Sequence, residues 1–113
     1  MTRLIVHKNK DFPRPGEVWN ARNLEYDGKI GVKSRPVIVK SIRGDQVEYY
    51  KCTTRSGLPC SHRILDTISA GLYKDTYVVP RVETIGINRL AYRYGELSQF
   101  DKAAIKDLQG AFR

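Results

Sequence analysis

Apolar residues recur along this chain in short runs separated by glycine, proline and charged positions, a pattern of strands joined by turns. Pro13-Arg14-Pro15-Gly16 punctuates the entrance to a first strand at Glu17-Val18-Trp19-Asn20. The stretch from Arg22 to Ser34 carries Gly28, Gly31 and both signs of charge without a sustained period, which predicts a long mobile loop. Pro36 to Ile42 comes next, and its unbroken Val37-Ile38-Val39 core predicts a central strand buried on both faces. Arg43-Gly44-Asp45-Gln46 supplies a turn into Val47–Thr53, so these two runs pair as a hairpin. Ser61–Leu65, Tyr77–Val79 and Val82–Ile85 read as further short strands, and Pro80 argues against one continuous central strand through the last two. The pattern then changes period. Ser98 can cap a helix over 98–110, with Asp101 in its first turn, and Phe100, Ala104, Leu108 and Phe112 recur every four residues as a stripe for packing on the sheet. The prediction is a mostly β protein closing with a C-terminal helix, one domain over 1–113, with 1–13 as an N-terminal arm or extra strand.

Charge adds a direction to this picture. Twenty Lys and Arg against twelve Asp and Glu give a formal charge of +8 in 113 residues, an excess that favours polyanionic partners unless it serves solubility alone. No segment is apolar for long enough to cross a bilayer, and Leu4-Ile5-Val6 is too short for the core of a secretory signal, so a cytoplasmic protein without a membrane partner is expected. Cys52 and Cys60 lack metal-ligand spacing and read as packing residues. His7 and His62 stand isolated in sequence and read as surface or hydrogen-bonded structural residues. Neither a cofactor nor a metal is implied.

A basic domain of this size suits one chemistry in particular. RNA carries its own nucleophile, the 2′-hydroxyl, so a protein that cuts it need only help remove a proton, stabilise the crowded phosphorane and protonate the leaving 5′-oxygen. Arginine fits the second task, because its planar donor fork matches phosphate oxygens and its charge persists at all working pH values. The chemistry alone does not single out one of the arginines for it. On the residues alone, Arg35 fits a loop salt bridge as well, and Thr53 and Thr54 fit strand-ending hydrogen bonds to nearby backbone. Tyr26, in the loop before Arg35, could stack on an unpaired base.

Several short motifs in order sharpen this reading. Pro15-Gly16-Glu17-Val18-Trp19, Ser34-Arg35-Pro36-Val37-Ile38-Val39, Cys52-Thr53-Thr54-Arg55-Ser56, Thr84 to Leu90 and Gly95-Glu96-Leu97-Ser98 together resemble the MazF/PemK family of toxin endoribonucleases over about residues 13 to 110. The resemblance implies a compact, SH3-like β-barrel of the MazF/PemK/CcdB type that forms a homodimer. It also implies metal-independent, sequence-specific cutting of single-stranded RNA to a 2′,3′-cyclic phosphate, and neutralisation by an acidic antitoxin. By position, Arg35 matches the catalytic arginine, Thr53 the catalytic hydroxyl residue and Thr54 its neighbour. Tyr26, Lys29, Lys33, Arg55, Lys74 and Thr76 are the RNA-contact candidates, Lys74 and Thr76 because they fall where some relatives carry further active-site residues. The chain departs from the family just before Arg35, where no acid stands at the usual offset; Glu25 and Asp27 are the substitutes on offer, and the proton acceptor is unassigned. Two other functions suit a basic chain of this kind: a noncatalytic toxin of the same fold that inhibits a protein such as DNA gyrase, and an RNA-binding module without chemistry.

Overall fold

A computed structural model describes residues 12–22, 34–57 and 61–110. Among the described residues six strands form one antiparallel sheet: β1 (Glu17–Ala21), β2 (Arg35–Arg43), β3 (Gln46–Thr53), β4 (His62–Arg63), β5 (Tyr77–Gly86) and β6 (Leu90–Glu96), in the spatial order β4-β5-β3-β2-β1-β6. A one-turn helix α1 (Thr67–Ala70) lies beyond β4 in sequence, and α2 (Gln99–Gly110) beyond β6. The mostly β architecture with a late helix is the one expected. The two edges, β4 and β6, do not pair with each other, so the sheet curls without closing into the expected barrel. The curl is nevertheless tight. One 3-10 turn, Ile87–Arg89, spans from the end of β5 to the start of β6, although these strands sit four places apart in the sheet.

Two cores lie on the two faces of this sheet, which explains the unbroken apolar run in β2. Ile38 joins Val18, Tyr50, Cys52, Val78 and Ile105 on the face covered by the helices. Its neighbours Val37 and Val39 join Trp19, Ala21, Val47, Tyr49 and Leu90 inside the curl. Successive strand residues point to opposite faces, so a strand buried on both sides must be apolar at every position. The hairpin also forms as predicted: Arg43 pairs with Gln46, leaving Gly44 and Asp45 as a two-residue turn in which Gly44 takes a left-handed conformation (φ 61°).

Three expectations are corrected. β5 is continuous across Pro80, because a register shift between Lys51 opposite Val79 and Tyr50 opposite Val82 takes Pro80 and Arg81 out of the ladder. A bulge is where a sheet tolerates a residue that has no N–H to give. The strand expected over Ser61–Leu65 shortens to two residues, His62 and Arg63, and the chain turns into α1 at Thr67; Asp66 accepts from Ser69 N–H at 3.0 Å to open that helix, and Gly71 closes it at φ 77°. Gly71 has a second reason to lack a side chain, since a Cβ there would lie 2.0 Å from the Tyr94 carbonyl oxygen of β6. In α2, Ser98 caps as expected, its Oγ accepting from Asp101 N–H at 3.2 Å. The buried stripe, however, is Asp101 and Ile105, while Phe100 is 80% exposed. The helix is turned by about one residue from the predicted face.

Cys52 behaves as a packing residue. It is buried in the helix-side core, and that burial pushes its thiol up to about 12. A thiol so protected is expected to resist iodoacetamide in the folded protein and to react on unfolding, which peptide mass spectrometry at Cys52 can read. Rapid native labelling there would contradict its placement. Cys60 lies outside the described residues.

Candidate functional site

The first residue of β2 and the last of β3 meet at one end of the sheet. The β2–β3 ladder ends with Val37 opposite Lys51, and Arg35 and Thr53 lie two residues beyond it on their strands, where the same register would face them toward each other. Arg35 pairs with Ala21 of β1, and Thr53 with Tyr77 of β5, which in turn pairs with Arg63 of β4. A row therefore runs perpendicular to the strands through Ala21, Arg35, Thr53, Tyr77 and Arg63. Residues directly opposite in antiparallel pairs share a face, and this is the face of Val37 and Val39, away from α2. Arg35 is half-buried, with the Nε edge of its guanidinium sealed from solvent.

Thr53 makes the local bond that its position at a strand end allows: its Oγ1 accepts from Arg55 N–H at 3.1 Å. That bond fixes the oxygen and leaves the hydroxyl proton to donate. Thr54 and Arg55 are exposed beside it. Lys74 is exposed too, with Nζ 5.9 Å from the ring centroid of Tyr73, itself 92% exposed. Thr76 differs from the other candidates. It is 3% exposed and its hydroxyl donates to the Lys74 carbonyl at 3.0 Å, so in this conformation it shapes the turn beneath Lys74 and presents nothing outward. Tyr26, Lys29, Lys33, Glu25 and Asp27 lie outside the described residues. Two further arginines stand at this end: Arg22 N–H donates to the Arg89 carbonyl at 2.9 Å, and Arg89 Nε returns a bond to the Arg22 carbonyl at 3.0 Å.

The carboxylates with shifted acidity among the described residues are all held in the wrong direction for a general base near neutral pH. Burial pushes Glu17 up, but donation from Trp19 Nε1, Arg93 and Arg14 N–H outweighs it and leaves the carboxyl below its ordinary value. Glu48 is lowered first by the Ser41 hydroxyl. Asp101 is completely buried, and that burial alone would raise it. Leu65 N–H at 2.9 Å, His62 Nε2 at 2.8 Å, Asp66 N–H at 3.1 Å and Ser98 Oγ at 3.1 Å all donate to it, and together they bring it below its ordinary value. Asp101 thus ties α2 to β4 and to the start of α1. His62 is the hydrogen-bonded structural histidine that its isolation in sequence allows. No group of three or more His, Cys, Asp or Glu converges into a metal-holding cluster among the described residues, and none of their helices is long and apolar enough to cross a membrane.

Sequence reading leaves out Arg63, Arg89 and Asp101. Arg63 had a signal, since alternation along Ser61-His62-Arg63 separates the faces of its last two residues. Asp101 had none beyond its first-turn position next to Ser98, because its other partners, His62, Leu65 and Asp66, lie more than thirty residues away in sequence.

No family model and no curated protein sequence matches the chain. Solved structures do. An endoribonuclease in complex with its cognate antitoxin, from a Mycobacterial species, superposes with a TM-score of 0.67 at 20% identity, covering 88% of this chain and 91% of that one. Mycobacterium tuberculosis toxin MazF-mt6 gives 0.66 at 22% identity, covering 84% and 93%. A MazE-MazF structure from Deinococcus radiodurans gives 0.71 at 15% identity, covering 89% and 95%. The fold of this chain is that of the MazF toxins.

Proposed function

We propose that this chain, built on the MazF fold, is the toxin of a toxin-antitoxin pair and cuts single-stranded RNA at a short sequence without a metal. The reading is supported by the β2–β3 register, which, extended two residues past Val37 and Lys51, sets Arg35 and Thr53 on one face at a basic end of the sheet. In the reaction, the RNA 2′-hydroxyl gives up its proton and its oxygen bonds to the neighbouring phosphorus, the bond from phosphorus to the 5′-oxygen breaks, that oxygen takes up a proton to leave as a hydroxyl, and a 2′,3′-cyclic phosphate remains. Arg35 neutralises the charge that builds on the phosphorane oxygens, where a fixed guanidinium acts most strongly because it needs no reorganisation. Thr53, its oxygen already held by Arg55 N–H, donates its proton to a phosphate oxygen. Thr54 and Arg55 flank the path of the strand, and Lys74 adds charge to it. Under the same reading the protein works as a homodimer and is blocked by an acidic antitoxin; solved neighbours in complex with antitoxin support the second of these.

Incubation of the purified protein with a long single-stranded RNA in excess EDTA tests the proposal. Discrete fragments ending in a 2′,3′-cyclic phosphate are expected. Intact RNA under these conditions, or fragments that appear only when a divalent metal is restored, would count against it.

A further inference from the structure

We infer that Arg63 is a second phosphate-binding position on the RNA path, gripping a phosphate that flanks the scissile one, with Tyr77 as the floor between them. The inference rests on the RNA-cutting reading for its ligand and on the sheet for its geometry. Arg63 pairs with Tyr77, and Tyr77 with Thr53, so Arg63 extends the Arg35 row by two strands beyond Thr53. Three strand spacings separate the backbones of Arg35 and Arg63, roughly 14 Å. That span crosses the strands, so an RNA backbone laid along the row passes Arg35, Thr53, Tyr77 and Arg63 in turn.

The side chain is available for this role. His62, the preceding residue, reaches Asp101 beneath the sheet, which directs Arg63 to the opposite face, the face of the row. Arg63 is exposed, and no described carboxylate forms an ion pair with it. Its backbone is held firmly even though β4 has only two residues. Asp101 takes His62 Nε2, Leu65 N–H and Asp66 N–H on either side of it, and Ile64 N–H donates to the Thr76 carbonyl at 2.9 Å. A mobile surface arginine would need none of this anchoring.

Charged residues also guard sheet edges against pairing with other chains, and β4 is an edge. Any charge would serve there, and a glutamate as well as an arginine. A phosphate contact distinguishes the two.

Anisotropy of a fluorescent, mixed-sequence 2′-O-methyl RNA, which cannot be cut, measures binding apart from chemistry. Arg63→Ala is expected to weaken it about 5–10-fold at low salt and to reduce the slope of log K against log salt by about 0.7. Arg63→Glu should weaken binding further while staying monodisperse to the same degree as the parent, and Arg63→Lys should recover most of the affinity. On natural RNA, Arg63→Ala should raise KM by more than it lowers kcat. Affinities within twofold of the parent for both Arg63→Ala and Arg63→Glu, with the salt slope unchanged, would overturn the inference. If the parent binds the 2′-O-methyl RNA but leaves natural RNA intact, the cutting reading falls while the Arg63 contact is still measured. If the parent binds neither, both fall.

Discussion

Arg35→Ala is expected to slow RNA cutting by about 10²–10³-fold, the usual effect of removing one fixed donor from a developing oxyanion. The loss should appear in kcat, because the charge that Arg35 meets is greatest in the phosphorane. Binding of uncut RNA should fall far less, since one phosphate contact among several is lost. Arg35→Lys should recover only part of the rate: it restores the charge but not the two-pronged donor fork. The sealed Nε indicates that the stem also packs, so circular dichroism must show the variant folded before its rate is read. Cutting by folded Arg35→Ala within threefold of the parent would remove Arg35 from the chemistry.

The largest effect on stability is expected at Asp101. Alanine there leaves two backbone N–H groups, a histidine and a serine hydroxyl without their shared, fully buried acceptor. Breaking a buried charged network by removing one partner costs about 3–5 kcal/mol, which in a domain of this size lowers Tm by roughly 15–25 °C. Asp101→Asn keeps the volume and one acceptor oxygen but turns the other into a donor facing donors, so it should also destabilise, by a smaller amount. Acidity enters through the same contacts. The folded carboxyl lies below its ordinary value, so the unfolded chain takes up the proton first. The contribution of Asp101 is then complete above about pH 5, begins to fade near pH 4, and is lost as pH falls through the lowered folded value. Urea melts of parent and Asp101→Asn across pH 3–6 should converge toward the acid end. A constant gap between them would mean that the carboxylate charge is not what holds the network.

Local pattern predicts β1, the β2–β3 hairpin and the helix cap, because each depends on neighbours in sequence: a Pro-Gly entrance, a two-residue glycine turn and a serine three residues before its partner. It misjudges β5, since Pro80 is excluded from a strand only where its missing N–H would have to bond, and the bulge against Tyr50 and Lys51 removes that demand. It picks the wrong stripe on α2 because two faces of that helix carry apolar residues, and the acceptor needs of β4 decide between them. A buried aspartate on the packed face is the opposite of what hydrophobic spacing selects. In the site, the hairpin that brings the end of β3 near the start of β2 was legible, while Arg35 and Thr53 themselves came forward only through the family resemblance. The addition of Tyr77 and Arg63 depends on β5 and β4, whose register no local signal specifies.

The strands at the two flanks of the sheet also set an order of assembly. The β2–β3 hairpin joins near neighbours and can form early. β1 and β6 pair across about seventy residues, a closure whose entropy must be met before its contacts help. Arg63 is secured later still, when Asp101 on α2 arrives to hold β4. Arg35 and Thr53 lie on the hairpin that can form early, so a chain that still lacks α2 has that pair without a fixed Arg63. For the proposed RNA-cutting reading, α2 then completes the phosphate row at β4, while the Arg35–Thr53 end is set up without it.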